Sequence, residues 1–83
     1  MTLERMEEIF EEDNIATWEG DNAFKGLLIL QKYTNELIQG SAHDIIYSED
    51  CKELIKAGIT EEDCIALRNL NWMIENNSLA CYV

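Results

Sequence analysis

The sequence predicts an α+β fold in a single compact domain, residues 1–83, with four short helices packed on a small two- or three-stranded sheet. Its C-terminal strand is expected to pair with a strand at His43–Tyr47. Three observations predict this. Helix-start and helix-stop residues punctuate the chain at helix-length intervals. Two runs, HDIIY and LACYV, are short and rich in β-branched and aromatic residues, as strands are. The chain is 47% hydrophobic with no Pro and four Gly, a composition that buries a core rather than staying disordered. A chain of this length buries roughly 60–65% of its unfolded surface. That leaves room for one core and a shallow groove, and little for a deep catalytic pocket.

The first element is an amphipathic helix over Thr2–Glu12. Leu3, Met6, Ile9 and Phe10 make one stripe, and Glu4, Glu7, Glu8, Glu11 and Glu12 fill the rest. Glutamates in its last turn oppose the helix dipole, so its end is expected to fray near Asp13–Asn14. Asn14–Trp18 reads as an edge strand or an extended connection, and Glu19–Asn22 as a turn offering N-cap candidates. Ala23–Ile38 reads as a second helix with Phe24, Leu27, Leu28, Leu30, Tyr33, Leu37 and Ile38 on a broad apolar face. Gly26 weakens it by up to about 1 kcal/mol relative to Ala, a cost that reflects either close backbone packing there or nothing at all. Gly40 is its expected left-handed stop.

His43–Tyr47 follows as the internal strand, with His43 expected to hydrogen-bond near Gly40 and Ser41. Ser48 is then the expected N-cap of a third helix that carries Glu49 and Asp50 early, Lys52 and Lys56 later, and stops at Gly58. Leu54 and Ile59 supply the apolar contact of that stop. Ile59–Ile74 holds the clearest helix start in the chain. Thr60 is the N-cap, Glu61, Glu62 and Asp63 fill the first turn, and Ile59 staples onto Cys64. Cys64, Leu67, Leu70 and Ile74 recur on one face, with Ile65 and Trp72 on a second. A polar run, Glu75–Ser78, leads to the strand Leu79–Val83, which as a terminal strand holds only by pairing.

Seventeen acids against six bases give a net charge of −11. Residues 1–21 hold eight of the acids and one base, net −7; residues 22–83 hold nine acids and five bases, net −4. Such a chain is repelled by nucleic acid and by anionic membranes, and attracts a basic partner in a salt-dependent way. Cys51, Cys64 and Cys81 are an odd number of thiols, unlike a paired secreted framework. No signal peptide or bilayer-length apolar run occurs, so a cytoplasmic location is expected.

Catalytic chemistry finds little footing. The three thiols and His43 lack the close ligand pair of a structural zinc site and read as small buried hydrophobes. Cys51 and Cys64 fall in first helical turns, which favour the thiolate, but carboxylates precede both and work the other way. His43 and Asp44, adjacent in a strand, would point to opposite faces. No GxSxG, HExxH, phosphate loop or calcium loop occurs. What stands out is the acidic helix beside Trp18: charge for steering, an aromatic for anchoring. The plain alternative is a solvated face with a buried Trp.

WEGDNA at Trp18–Ala23, AHDIIY at Ala42–Tyr47, TEED at Thr60–Asp63 with LNW at Leu70–Trp72, and ACYV at Ala80–Val83 resemble small uncharacterised proteins of phages and mobile elements. The resemblance covers residues 18–83, leaves the acidic helix outside, and carries over no functional residue. It implies a bacterial or phage cytosolic setting, where small acidic proteins act by binding and blocking.

The expectation is therefore a non-enzymatic protein-binding module without cofactor or metal. Its partner is a protein with a basic, nucleic-acid-binding surface, which it blocks as an inhibitor or immunity factor. Glu4, Glu7, Glu8, Glu11, Glu12 and Trp18 are the partner-binding residues; direct nucleic-acid or membrane contact is not expected. Two alternatives stand beside it: a structural module that homodimerises by strand pairing, and a small thiol or metal protein.

Overall fold

A computed structural model describes residues 1–12 and 20–82. Its elements run α1 (Leu3–Glu11), α2 (Asn22–Leu30), β1 (Gly40–Ala42), β2 (Ile45–Asp50), α3 (Cys51–Lys56), α4 (Glu61–Asn69), β3 (Trp72–Glu75) and β4 (Ser78–Tyr82). The class is the expected α+β. The sheet, however, has four antiparallel strands in the order β1-β2-β4-β3, not two or three. The expected pairing of the C-terminal strand with the internal one is present, with Ile46 opposite Cys81. The segment Asn14–Trp18 and residue Val83 lie outside the described residues.

Both additional strands come from residues that periodicity assigned to helix ends. The second helix stops at Leu30, eight residues short of Ile38, because Tyr33 and Thr34 are drawn into tertiary bonds. The Tyr33 hydroxyl donates to Asp63, and Thr34 Oγ1 donates to Glu49 Oε2 at 2.9 Å while accepting from the Glu36 amide at 3.0 Å. The last turn tightens to i→i+3 bonds, Lys32 to Ile29 and Tyr33 to Leu30. Of the apolar face expected for a longer helix, Phe24, Leu28 and Ile38 are exposed. Gly40 is not a left-handed stop but the first residue of β1. The left-handed residue is His43, φ 53°, at the tip of a two-residue turn that sets Ala42 opposite Ile45. His43 is thus an exposed turn residue rather than a cap.

Ser48 continues β2 instead of starting α3. Asp50 takes the N-cap role, its Oδ1 accepting from the Lys52 amide at 2.8 Å. The end of α3 is as expected. Gly58 is left-handed (φ 91°), its amide donates to the Ile55 carbonyl at 3.0 Å, and the Ile59 amide donates to the Leu54 carbonyl at 3.1 Å. That is a full Schellman motif, closed by the buried pair Leu54 and Ile59. Thr60 then caps α4, accepting from the Asp63 amide at 3.1 Å.

The long helix over Ile59–Ile74 breaks at Asn69. Asn71 is left-handed (φ 65°) and turns the chain, so Trp72–Glu75 become β3. Asn76 and Asn77 both have positive φ, 52° and 66°, the signature of the two-residue hairpin turn that folds β4 back onto β3. Trp72 therefore enters the core from the sheet, and Ile65, expected on a second buried face, is at the surface. The indole lies against α2 at Gly26 and donates from Nε1 to the Asn22 carbonyl at 3.0 Å, while Asn22 Nδ2 donates to the Leu70 carbonyl at 2.9 Å.

The helices cover one face of the sheet. Ile46, Cys81 and Trp72 form one cross-strand row, and Leu79 and Ile74 the next. Cys81, Trp72 and Leu79 belong to the buried core cluster with Met6, Ile9, Leu30, Leu54 and Leu67, and Ile46 and Ile74 pack against it partly buried. Alternation sends the intervening residues to the opposite face: the row Gly40–Tyr47–Ala80–Met73, the row Ala42–Ile45–Tyr82 and, past an irregularity in β2, the acidic row Asp50–Ser78–Glu75. Ala80 among them is fully buried, and the others lie outside the core cluster. Strand β4 lies between β2 and β3, so both its edges are paired, and it offers no route to the strand pairing between copies expected of a terminal strand.

Candidate functional site

The site is α1 and the strand it leans on. Thr2 starts the helix, its Oγ1 accepting from the Arg5 amide at 3.1 Å, and the stripe Leu3, Met6, Ile9, Phe10 turns inward with Met6 and Ile9 fully buried. The five glutamates Glu4, Glu7, Glu8, Glu11 and Glu12 are all exposed. They do not form one uniform field.

Glu8 and Glu12 are engaged by two arginines. Arg5 Nη1 lies 3.3 Å from Glu8 Oε2 and 3.7 Å from Glu12 Oε1, and Arg5 Nε donates to Glu61 Oε1 of α4 at 2.9 Å. Arg68 of α4 reaches Glu12 Oε2 at 3.0 Å and donates to the Ile9 carbonyl at 3.3 Å. The hydrogen bond that Arg5 donates to Glu61, with the charges of Glu61 and Glu12, keeps the Arg5 guanidinium more basic than usual. Arg68 supplies the positive charge that the last turn of α1 lacks and ties Ile9 and Glu12 to α4; the fraying expected near Asp13 and Asn14 falls outside the described residues.

Glu4, Glu7 and Glu11 remain. Spaced by three and four residues, they share one side of the helix and have no ion pair among the described residues. Behind two of them is an open hollow of about 290 Å³ lined by Glu7, Phe10, Glu11, Met73 and Ile74. Met73 and Ile74 are neighbours on β3 and point to opposite faces, so the hollow lies along the sheet edge. The result is an apolar floor with a carboxylate rim. Trp18, the expected anchor, lies outside the described residues. Phe10 and Met73 are the apolar members that sequence reasoning missed. Phe10 was legible only as core, and Met73 was hidden inside an expected helix.

The chemistry available elsewhere is limited. Burial, and then the nearby charges of Asp50 and Glu7, raise the Cys51 thiol to about 12. Burial, and then Asp63 and Glu61, raise Cys64 to about 11; burial also raises Cys81. All three are free, buried and protonated at neutral pH, which removes them as nucleophiles. A second, polar hollow of about 670 Å³ includes Lys32, Tyr33, Thr34, Glu49 and Glu53. Beside it Asp63 receives hydrogen bonds from Lys32 Nζ at 2.7 Å and from Tyr33. Burial and the hydrogen bond to Asp63 raise the Tyr33 phenol, the wrong direction for a base. Among the described residues no three His, Cys, Asp or Glu side chains are placed to hold a metal ion, and no helix is long and apolar enough to cross a membrane.

No protein-family model, no curated protein and no solved structure matches this chain, and the site is read from its own residues.

Proposed function

We propose that the chain is a non-enzymatic binding module that takes a basic protein partner on α1 and blocks the surface that partner would offer to nucleic acid. In this reading it acts in the cytoplasm as an inhibitor or immunity factor of a phage or mobile element. The observation that carries it is the stripe Glu4, Glu7, Glu11. These are exposed carboxylates with no ion pair among the described residues, set against the hollow of Phe10, Met73 and Ile74. Carboxylates steer and orient a basic surface, and an adjacent apolar floor supplies affinity that charge alone does not. Glu8 and Glu12, already engaged by Arg5 and Arg68, contribute to the long-range field more than to contact. Direct binding of nucleic acid or an anionic membrane is opposed by the net charge of −11.

The test is affinity capture from a bacterial host lysate at low and high salt with two charge-matched variants. One carries Glu4→Lys, Glu7→Lys and Glu11→Lys; the other carries Glu36→Lys, Asp44→Lys and Glu62→Lys, all exposed and outside α1. Loss of a salt-sensitive partner in the first variant alone supports the reading. Equal loss in both assigns binding to net charge, and no loss in either removes α1 as the interface.

A further inference from the structure

Among the described residues the sheet has two edge strands, and they are unlike. Strand β1 offers three small residues, Gly40–Ala42, with no carboxylate and no large apolar side chain. Strand β3 pairs with β4 alone and runs beside the α1 hollow. The two-residue turn at Asn76 and Asn77 makes Glu75 and Ser78 a hydrogen-bonded pair, and the pairs alternate from there. The N–H and C=O of Met73 and Glu75 therefore face β4, and those of Trp72 and Ile74 face outward. No hydrogen bond to these outward groups is present among the described residues. Side chains alternate as well: Ile74 is on the helix side, where the hollow holds Glu7, Phe10 and Glu11, and Met73 and Glu75 are on the other face. Glu75 is exposed and, like Glu7 and Glu11, has no ion pair among the described residues.

We propose that the basic partner binds by adding a strand to β3: an extended segment of it, two consecutive basic residues followed by an apolar one, lies antiparallel along this edge. The proposal rests on the α1 reading and gives that partner its shape. Unpaired groups on a strand edge are completed by another strand and not by a helix, and a hollow bounded by five residues is too short for a helix groove. The residue opposite Ile74 exchanges both backbone bonds with it and turns its side chain to the helix side. A Lys or Arg there lays its stem over Phe10 and Ile74 and sets its charge between Glu7 and Glu11. The residue before it lies opposite Glu75 on the other face, where a second cation completes a cross-strand pair. The residue after it lies opposite Met73, where an apolar side chain packs. Carboxylates thus flank the edge on both faces, which selects a cationic strand and rejects a second copy. This chain has no two consecutive basic residues, and pairing two β3 edges would bring together the carboxylates of both.

The probe is an acetylated and amidated peptide, Ser-Lys-Arg-Val-Thr-Val, beside the same peptide N-methylated at its Arg and its Thr. Methylation keeps every charge and side chain and removes the two peptide N–H groups that would face β3. Each is titrated into nitrogen-15-labelled protein to about 2 mM and followed by amide shifts. The unmodified peptide is expected to bind at least about tenfold tighter than the methylated one. Its binding should weaken as salt rises from about 0.1 M to about 1 M. Hydrogen exchange should slow at the Ile74 amide and not at Ser41 on the β1 edge. The variant with Glu4→Lys, Glu7→Lys and Glu11→Lys should lose the peptide. A methylated peptide that binds within about twofold of the unmodified one overturns strand addition and leaves the acidic side of α1 standing as a charge-only interface. Unchanged binding to the triple variant overturns both. Binding of neither peptide overturns the proposal, and the lysate capture then decides the α1 reading on its own.

Discussion

Gly26 of α2 and Trp72 of β3 occupy one space: the indole fills the position that a Cβ on residue 26 would take, overlapping Nε1 and Cε2 of the ring. The same indole nitrogen donates to the Asn22 carbonyl one turn earlier, at 3.0 Å. Trp72 is 3% exposed. One glycine thus sets how closely helix and sheet approach, and fixes the height of β3, whose Met73 and Ile74 line the α1 hollow.

Gly26→Ala is therefore expected to destabilise the protein, although Ala is the better helix former by about 1 kcal/mol. Overpacking costs about 1–3 kcal/mol, and a displaced indole loses a hydrogen bond worth about 1 kcal/mol. The expected net loss is about 1–3 kcal/mol, read as a lower urea midpoint with an unchanged slope. Combined with Trp72→Phe, the loss should be less than the sum of the single changes, since the smaller ring frees the space. An unchanged or higher midpoint for Gly26→Ala would contradict the contact.

Arg68→Ala should free the end of α1. The guanidinium serves both the Ile9 carbonyl and Glu12, and its side chain is only 12% exposed. Its loss is expected to destabilise by about 1–2 kcal/mol, since hydrogen bonds to charged groups are worth more than neutral ones. Arg68→Lys should restore less than half, because an ammonium lacks the guanidinium's fork. Amide exchange of Glu12, whose N–H bonds to the Glu8 carbonyl at 3.2 Å, reports the fraying. Equal protection in parent and Arg68→Ala would show that α1 holds its own end.

These two cases show where the sequence was legible and where it was not. The α3 stop at Gly58 and the Thr60 cap were legible because their bonds join residues three to five apart. The helix face of α1 was legible for the same reason. The β1 and β3 strands were not. Leu70, Trp72 and Ile74 fit a helical face and a strand face alike, and the choice is made by left-handed Asn71, Asn76 and Asn77. An Asn-Asn pair between two apolar runs was the available signal, and it was passed over as a polar helix end. In the site, the glutamates were evident, but their division was not. Which of them are engaged depends on Arg68 and Glu61, each 56 residues from its partner on α1. Gly26 was noticed as a cost, and only the fold shows the indole that requires it.

The thiols predict behaviour at alkaline pH. Burial first, then Asp50, holds Cys51 at about 12 in the folded chain, against an ordinary 9.0. A folded value above the unfolded one means the unfolded state releases its proton first. The stability contribution is complete below pH 9 and is lost as pH rises from about 9 toward 12. Cys51→Ala removes that loss, so the gap between parent and variant should narrow from pH 8 to pH 10.5. At pH 8, modification of the parent by a thiol reagent should proceed only as fast as opening of the fold. Rapid labelling of any of the three thiols under native conditions would contradict their placement.

Asp63 sets the acid side. Burial pushes its carboxyl upward, but hydrogen bonds from Lys32 and Tyr33 outweigh this and hold it below the ordinary 3.8. A depressed folded value contributes stability that is present above the unfolded pKa and is lost as pH falls through the folded one. Asp63→Asn should therefore cost about 1–2 kcal/mol at pH 7, discounted because Lys32 is half exposed. The cost should shrink between pH 4 and pH 2, where the parent carboxylate is itself protonated and gives up Lys32. The Thr60 cap is unaffected, because it binds the Asp63 backbone amide rather than the side chain. Denaturant melts of both proteins at pH 7, 4 and 2 measure this. A gap constant across that range would assign the role of Asp63 to packing rather than to charge.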